Sequence, residues 1–187
     1  MNIRLLQRHE IPILWQIDRR EYIANIYRLT DGKLVLEPHN FDVPGWPPGE
    51  REHQMPLLEA CFDQGGRGWA AFDGDTIAGA AVLEGKLFGS RGDTLQLEWL
   101  HVSRDYRKQG LGRTLFEMAA ARAKEVGAAK MYISATPSEN TIHFYMNRGC
   151  SLAPEPDPEL LALEPEDIHL EYKIPPAHPP GKIMRIR

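Results

Sequence analysis

The run from Leu95 to Gly112 constrains the fold more than any other part of the chain. It holds an apolar strand, a polar turn, and then Arg107-Lys108-Gln109-Gly110-Leu111-Gly112 at the mouth of an amphipathic helix. The two glycines let the backbone come close to a ligand, and the helix start offers unpaired N–H groups and the positive end of a dipole. An anion belongs at such a turn. A nucleotide-hydrolase loop would need Lys and then Ser or Thr after its glycines, whereas Arg113-Thr114 follow Gly112. A dinucleotide-binding turn would need a third glycine where Leu115 stands. Both fail on chemistry, leaving an R-x-x-G-x-G turn.

At 187 residues the chain suits one domain with a real core. A net charge of −4 gives no electrostatic case for a nucleic-acid partner. The start, Met1-Asn2-Ile3-Arg4, lacks an apolar signal core, and no run approaches the roughly 20 apolar residues of a membrane span. No membrane partner and a cytoplasmic location are therefore expected. Cys61 and Cys150, the only cysteines, read as free thiols in a reducing compartment.

Hydrophobic periodicity predicts a first strand over Asn2 to Leu6, then a helix from about Glu10 carrying Ile11, Leu14 and Trp15 and continuing to Tyr22 and Ile26. From Thr30 to Pro56 the pattern dissolves into Asp31-Gly32 and Val43-Pro44-Gly45-Trp46-Pro47-Pro48-Gly49, which reads as a long loop. A second helix over Met55 to Phe62 leads into a meander of strands at Gly68 to Phe72, Thr76 to Leu83 and Thr94 to Val102. A helix over Gly112 to Val126, a strand over Met131 to Ala135, a short helix capped by Ser138 and a strand over Ile168 to Ile174 complete the pattern. Residues 1–174 form one α/β domain on this reading, and 175–187 form an extended, proline-rich, basic tail.

The strand with its Glu, the Asp-Tyr-Arg lead-in, the glycine turn and its helix together resemble the central motif of the GNAT superfamily of acetyl-CoA-dependent N-acyltransferases. The element order resembles that fold across residues 2 to about 174. The resemblance implies a mixed, mostly antiparallel sheet with a splayed parallel pair, flanked by helices. It also implies acetyl-CoA as cosubstrate, its pantetheine arm lying along Leu100, His101 and Val102 like an added strand. Arg107, Lys108, Gln109, Gly110, Leu111, Gly112 and Arg113 would wrap its pyrophosphate.

Strict alternation on Leu95 to Val102 sets Gln96, Glu98, Leu100 and Val102 on one face and Leu97, Trp99 and His101 on the other. A carboxylate flanked by Leu100 and Val102 is costly without a partner or a job. The resemblance makes Glu98 the candidate general base, with Gln96 positioning the acceptor. A second family pattern, N-x-x-A-x-x-F-Y, stands here as Ser138-Glu139-Asn140-Thr141-Ile142-His143-Phe144-Tyr145. Tyr145 matches the residue that protonates the leaving thiolate. Ser138 replaces the usual Asn as a helix cap, and Asn140 is a candidate for the missing cofactor contact.

The histidines show no metal-ligand spacing, so no metal is expected, and His53 and His169 read as surface or loop residues rather than as part of an acceptor pocket. Between Leu152 and Ile168 lie six acidic residues and no basic one, in a loop that would draw in a cationic amine. Phe41 and Trp46 in the Thr30 to Pro56 segment point to a covered pocket, hence a small-molecule amine, with Trp46 touching it. Direct attack in a ternary complex follows from the family resemblance. An acyl-CoA sensor without turnover and a protein N-acetyltransferase remain open alternatives. A homodimer is compatible with the sequence and not fixed by it.

Overall fold

The computed structural model describes residues 1–176, so most of the proline-rich tail lies outside the described residues. The elements are β1 (Asn2–Leu6), a 3₁₀ helix (Arg8–Gln16), β2 (Glu21–Thr30), β3 (Lys33–Val43), α1 (Glu50–Asp63), β4 (Arg67–Asp73), β5 (Thr76–Leu83) and β6 (Thr94–Val102). They continue as α2 (Leu111–Glu125), β7 (Lys130–Ala135), α3 (Glu139–Met146), β8 (Ser151–Leu152), α4 (Pro158–Leu163) and β9 (Ile168–Lys173).

Seven strands form one sheet in the order β1-β4-β5-β6-β7-β9-β8, antiparallel except where β6 meets β7. β5 is buried on both faces, as a central strand must be: Ala78, Ala81 and Leu83 enter one core and Ile77, Ala80 and Val82 the other. The first core lies under α2, whose Leu111, Leu115, Phe116, Ala119 and Ala123 recur at helical spacing. The second lies under the 3₁₀ helix and α1, through Ile11, Leu14, Leu58 and Cys61. Full burial of a side chain such as Phe116 contributes about 1.5–3 kcal/mol. Both thiols are free and buried.

Two expectations are corrected. The helix predicted to run on to Tyr22 and Ile26 stops at Gln16, and those residues sit in β2. The predicted loop from Thr30 to Pro56 contains β3, and it ends in α1, which starts at Glu50. Asp31 and Gly32 both have positive φ, 51° and 72°, between the paired residues Thr30 and Lys33. This is the two-residue hairpin turn whose backbone matches strand twist, so Asp-Gly was a hairpin signal rather than loop chemistry. The β2–β3 arm packs on α3, with Tyr27 Oη 2.9 Å from His143 Nε2 and Tyr27 N donating to Pro137 O at 2.7 Å.

Candidate active site

β6 and β7 pair only at Thr94–Gln96 against Lys130–Tyr132. Beyond Gln96 the parallel strands diverge, so this edge of β6 has backbone polar groups without a neighbouring ladder. Buried backbone N–H and C=O groups require partners, and an extended ligand can supply them as an added strand.

A β-bulge shapes the same stretch. Val82 pairs with Trp99 and Leu83 with Leu97, so Glu98 is an extra residue on β6 opposite one step of β5. Leu95 and Leu97 enter the core under α2, whereas Trp99 enters the opposite one. The strict alternation expected from the sequence is therefore broken at Glu98. Every residue from Gln96 to His101 lines one cavity, residues of both strand faces among them. Bulges re-aim side chains in this way beside functional sites.

Two cavities open from the wedge, of about 610 and 530 Å³, and share Arg19, Leu100, His101, Thr136, Thr141 and Tyr145. The first collects Leu100, His101, Val102, Arg107, Lys108, Gly110, Gly112, Arg113, Ser138 and Asn140, nearly all of the residues proposed to hold the cofactor. Gln109 points away and donates to Asp105 O at 2.7 Å, and the Leu111 side chain is buried in the core. Seven cationic side chains line this cavity against one carboxylate, Glu21. Gly110 is the N-cap of α2 with φ +88°, and a Cβ built there meets nothing within 4 Å. A Cβ on Gly112 would come within 3.2 Å of the Phe144 ring, so this glycine is fixed by close packing. Open space before a helix N-terminus, ringed by cations, fits a pyrophosphate.

Individual contacts refine that picture. The Arg107 guanidinium donates to Val102 O at 2.9 Å, Arg20 O at 3.1 Å and Asp18 O at 3.3 Å, tying the end of β6 to the segment after the 3₁₀ helix. Arg113 pairs with Glu117 at 2.7 Å. Asn140 donates to Glu21 Oε1 at 2.9 Å, and Ser138 Oγ accepts from Thr141 N at 3.3 Å as the α3 cap. Arg148, which sequence reasoning did not single out, lies over the Phe144 ring at 4.5 Å, and its buried Nε has no partner among the described residues.

The second cavity has the opposite polarity. Seven carboxylates line it against Arg19 and Lys86, and Gln96 and Glu98 are in its wall. Of the six acidic residues in the loop before β9, Asp157, Glu159, Glu164 and Asp167 face this cavity. Glu155 is not among its lining residues, and Glu166 reaches Arg28 at 3.6 Å instead. Burial, reinforced by the charges of Glu84 and Glu164, pushes the Glu98 carboxyl up to about 8. Burial and Glu164 push Asp167 up to about 7, and burial raises Glu84 as well. Carboxylates crowded in low dielectric resist ionising together, and a bound cation relieves that resistance.

His101 is pushed down to about 3 by burial, with Arg19 and Arg107 adding to the effect, so its imidazole is neutral. It packs against Trp99 and Trp46, with ring centroids 4.7 and 5.0 Å away. Trp46 lines neither cavity; it stacks on Trp99 behind the wall and donates Nε1–H to Ile17 O at 2.9 Å. Tyr145 stands where the cavities meet, and burial raises its phenol above the ordinary range, so it keeps its proton at neutral pH. Among the described residues, no group of three or more His, Cys, Asp or Glu side chains is arranged to hold a metal ion. No described helix is long and apolar enough to cross a membrane.

Residues 23–150 match the model of the acetyltransferase (GNAT) family, and the chain belongs to that family. The fold is similar to that of nourseothricin acetyltransferase, at 20% identity and a TM-score of 0.69 over 93% of this chain and 98% of that one. It is also similar to the ribosomal-protein-S18-alanine N-acetyltransferase of Escherichia coli, at 17% identity and 0.59 over 97% of each chain. A third likeness is PaiA N-acetyltransferase of Thermoplasma acidophilum, solved with coenzyme A, at 16% and 0.60 over 92% of this chain and 99% of that one. A search of curated protein sequences returns no match.

Proposed function

We propose that this protein is a cytoplasmic N-acetyltransferase that moves an acetyl group from acetyl-CoA to a primary amine on a small cationic molecule, by direct attack in a ternary complex. The observation that carries this reading is the bipolar wedge: a cation-lined cavity and a carboxylate-lined cavity meeting at Leu100, His101 and Tyr145. The first suits the phosphates of coenzyme A, and the second suits an ammonium.

Acetyl-CoA supplies an acyl carbon activated by a thiol leaving group. Lys108, Arg113 and the α2 N-terminus hold its phosphates, and the free edge of β6 from Leu100 to Val102 holds its arm. An alkylamine is neutral in only roughly one molecule in 2,500 at pH 7, so a base must take its proton. Glu98 does this, directly or through water, and Gln96 orients the acceptor. The new C–N bond replaces the C–S bond, N–H groups near Leu100 to Val102 steady the acyl oxygen, and Tyr145 passes its proton to the sulfur.

Thiol release from acetyl-CoA with a panel of mono- and dicationic amines tests the reading. We expect release with cationic amines and a lower KM for them at low salt. Converting Glu159 and Glu164 together to Gln raises that KM, more at low salt than at high, and leaves the KM for acetyl-CoA unchanged. Binding of acetyl-CoA without release from any amine would favour a sensor, and release only with peptides would favour a protein-modifying enzyme.

Tyr145→Phe separates the acid from the base. It removes only the proton given to the sulfur, so turnover falls with acetyl-CoA and recovers with an acyl donor whose thiol is more acidic. An equal loss on both donors would leave Tyr145 as a packing residue of α3.

A further inference from the structure

Four of the acidic residues in the second cavity reach it from one loop, the segment between β8 and β9 that contains α4. A six-residue helix in a long connection does not hold itself in place. Besides the Glu166–Arg28 pair, two side chains outside the cavity wall anchor it. Asp157 N donates to Tyr132 Oη at 3.1 Å, Tyr132 Oη lies 2.8 Å from His169 Nδ1, and His169 Nε2 lies 3.3 Å from Glu164 O. Tyr132 and His169 are both buried, on the neighbouring strands β7 and β9, where Ile133 pairs with Leu170 and Ser134 with His169.

Donor and acceptor counting selects the tautomer. Glu164 O only accepts, so His169 must carry its hydrogen on Nε2. In the neutral imidazole Nδ1 is then the acceptor of the Tyr132 hydroxyl hydrogen bond, while the Tyr132 oxygen accepts from Asp157 N. The chain runs one way, from one end of α4 to the other, with every buried polar atom in it paired. Ser134, whose Oγ is 3.3 Å from the same Nδ1, also belongs to the cavity wall, as do Asp157 and Glu164 at the two ends of the chain.

The geometry points to Tyr132 and His169 as positioning residues for the acceptor: a latch that pins both ends of α4 so that Glu159 and Glu164 face the amine. This rests on the reading of the second cavity as the acceptor site. Neither residue lines that cavity, so neither touches the acceptor.

Three variants test it in the intact protein: Tyr132→Phe, His169→Leu and His169→Gln. In Gln the carbonyl oxygen and amide nitrogen can stand in for Nδ1 and Nε2–H, so His169→Gln should behave as the parent. Tyr132→Phe and His169→Leu should each raise the amine KM about tenfold, the size of one lost buried hydrogen bond, with kcat and the KM for acetyl-CoA within about twofold. Amide exchange at Asp157 should quicken by a similar factor in both. An unchanged amine KM in folded Tyr132→Phe overturns the latch while leaving acetyl transfer intact. A drop in kcat for His169→Gln at unchanged KM overturns it in favour of direct catalysis by the imidazole. A parent that turns over no amine sinks the acetyl-transfer reading and takes the latch with it.

Discussion

Glu98→Gln lowers turnover by about 10²-fold or more and leaves acetyl-CoA affinity where it was. The amide keeps the size and much of the polarity of the carboxyl but cannot take a proton. Because burial and the neighbouring carboxylates hold the Glu98 carboxyl near 8, the parent's kcat/KM for the amine should rise with pH through that value. The variant should lose that limb of the profile. The same shift makes Glu98 a liability for stability. Unfolded, it ionises near the ordinary value of 4.5; folded, it holds its proton to about 8, so the folded state binds the extra proton between those values. Its contribution is fully present below 4.5 and is lost as pH rises through 8. Glu98→Gln should therefore melt at a higher temperature than the parent at pH 8 and at nearly the same temperature at pH 4. Turnover near the parental rate, with both substrates saturating, would move the search for the base to water or to a loop histidine. His101, held near 3, is a poor base at neutral pH.

The parts of the site that the sequence exposes are those whose physics is local. β5 and β6 begin and end where alternation and flanking turns place them, at Thr76–Leu83 and Thr94–Val102. Gly110 stands out because the left-handed turn before α2 requires it. The bulge at Glu98 leaves no such mark, since it exists only in the pairing of Val82 and Leu83 with Trp99 and Leu97. Without that pairing, Leu97 and Trp99 are assigned to the same side of the strand, although they enter opposite cores. Arg19 lines both cavities only because the chain turns back after the 3₁₀ helix, and Arg107 fastens that turn to the end of β6. Tyr132 and His169 are 37 residues apart and meet only across adjacent strands. The β2–β3 arm was missed for a different reason. Tyr22, Ile23, Ile26 and Tyr27 satisfy a helical spacing as well as a β-rich composition, and the Asp-Gly turn that decides between them lies beyond the end of that window.

Gly110→Glu should weaken coenzyme A binding at least about 10²-fold while the protein stays folded. At φ +88° any side chain carries backbone strain of roughly 1–2 kcal/mol, but nothing crowds the new Cβ, so the cost to the fold stops there. A carboxylate at a helix N-terminus interacts well with the dipole, which offsets part of that cost. The carboxylate also enters the space proposed for the pyrophosphate. Two like charges about 4 Å apart near a protein surface repel by on the order of 4 kcal/mol, more than a hundredfold loss requires. Gly110→Ala separates the two effects, because it carries the same backbone strain with no charge. It should keep most of the parental affinity in calorimetry. Parental affinity in folded Gly110→Glu would mean that the turn from Arg107 to Arg113 does not seat the phosphates, and that the cations lining the first cavity serve another anion.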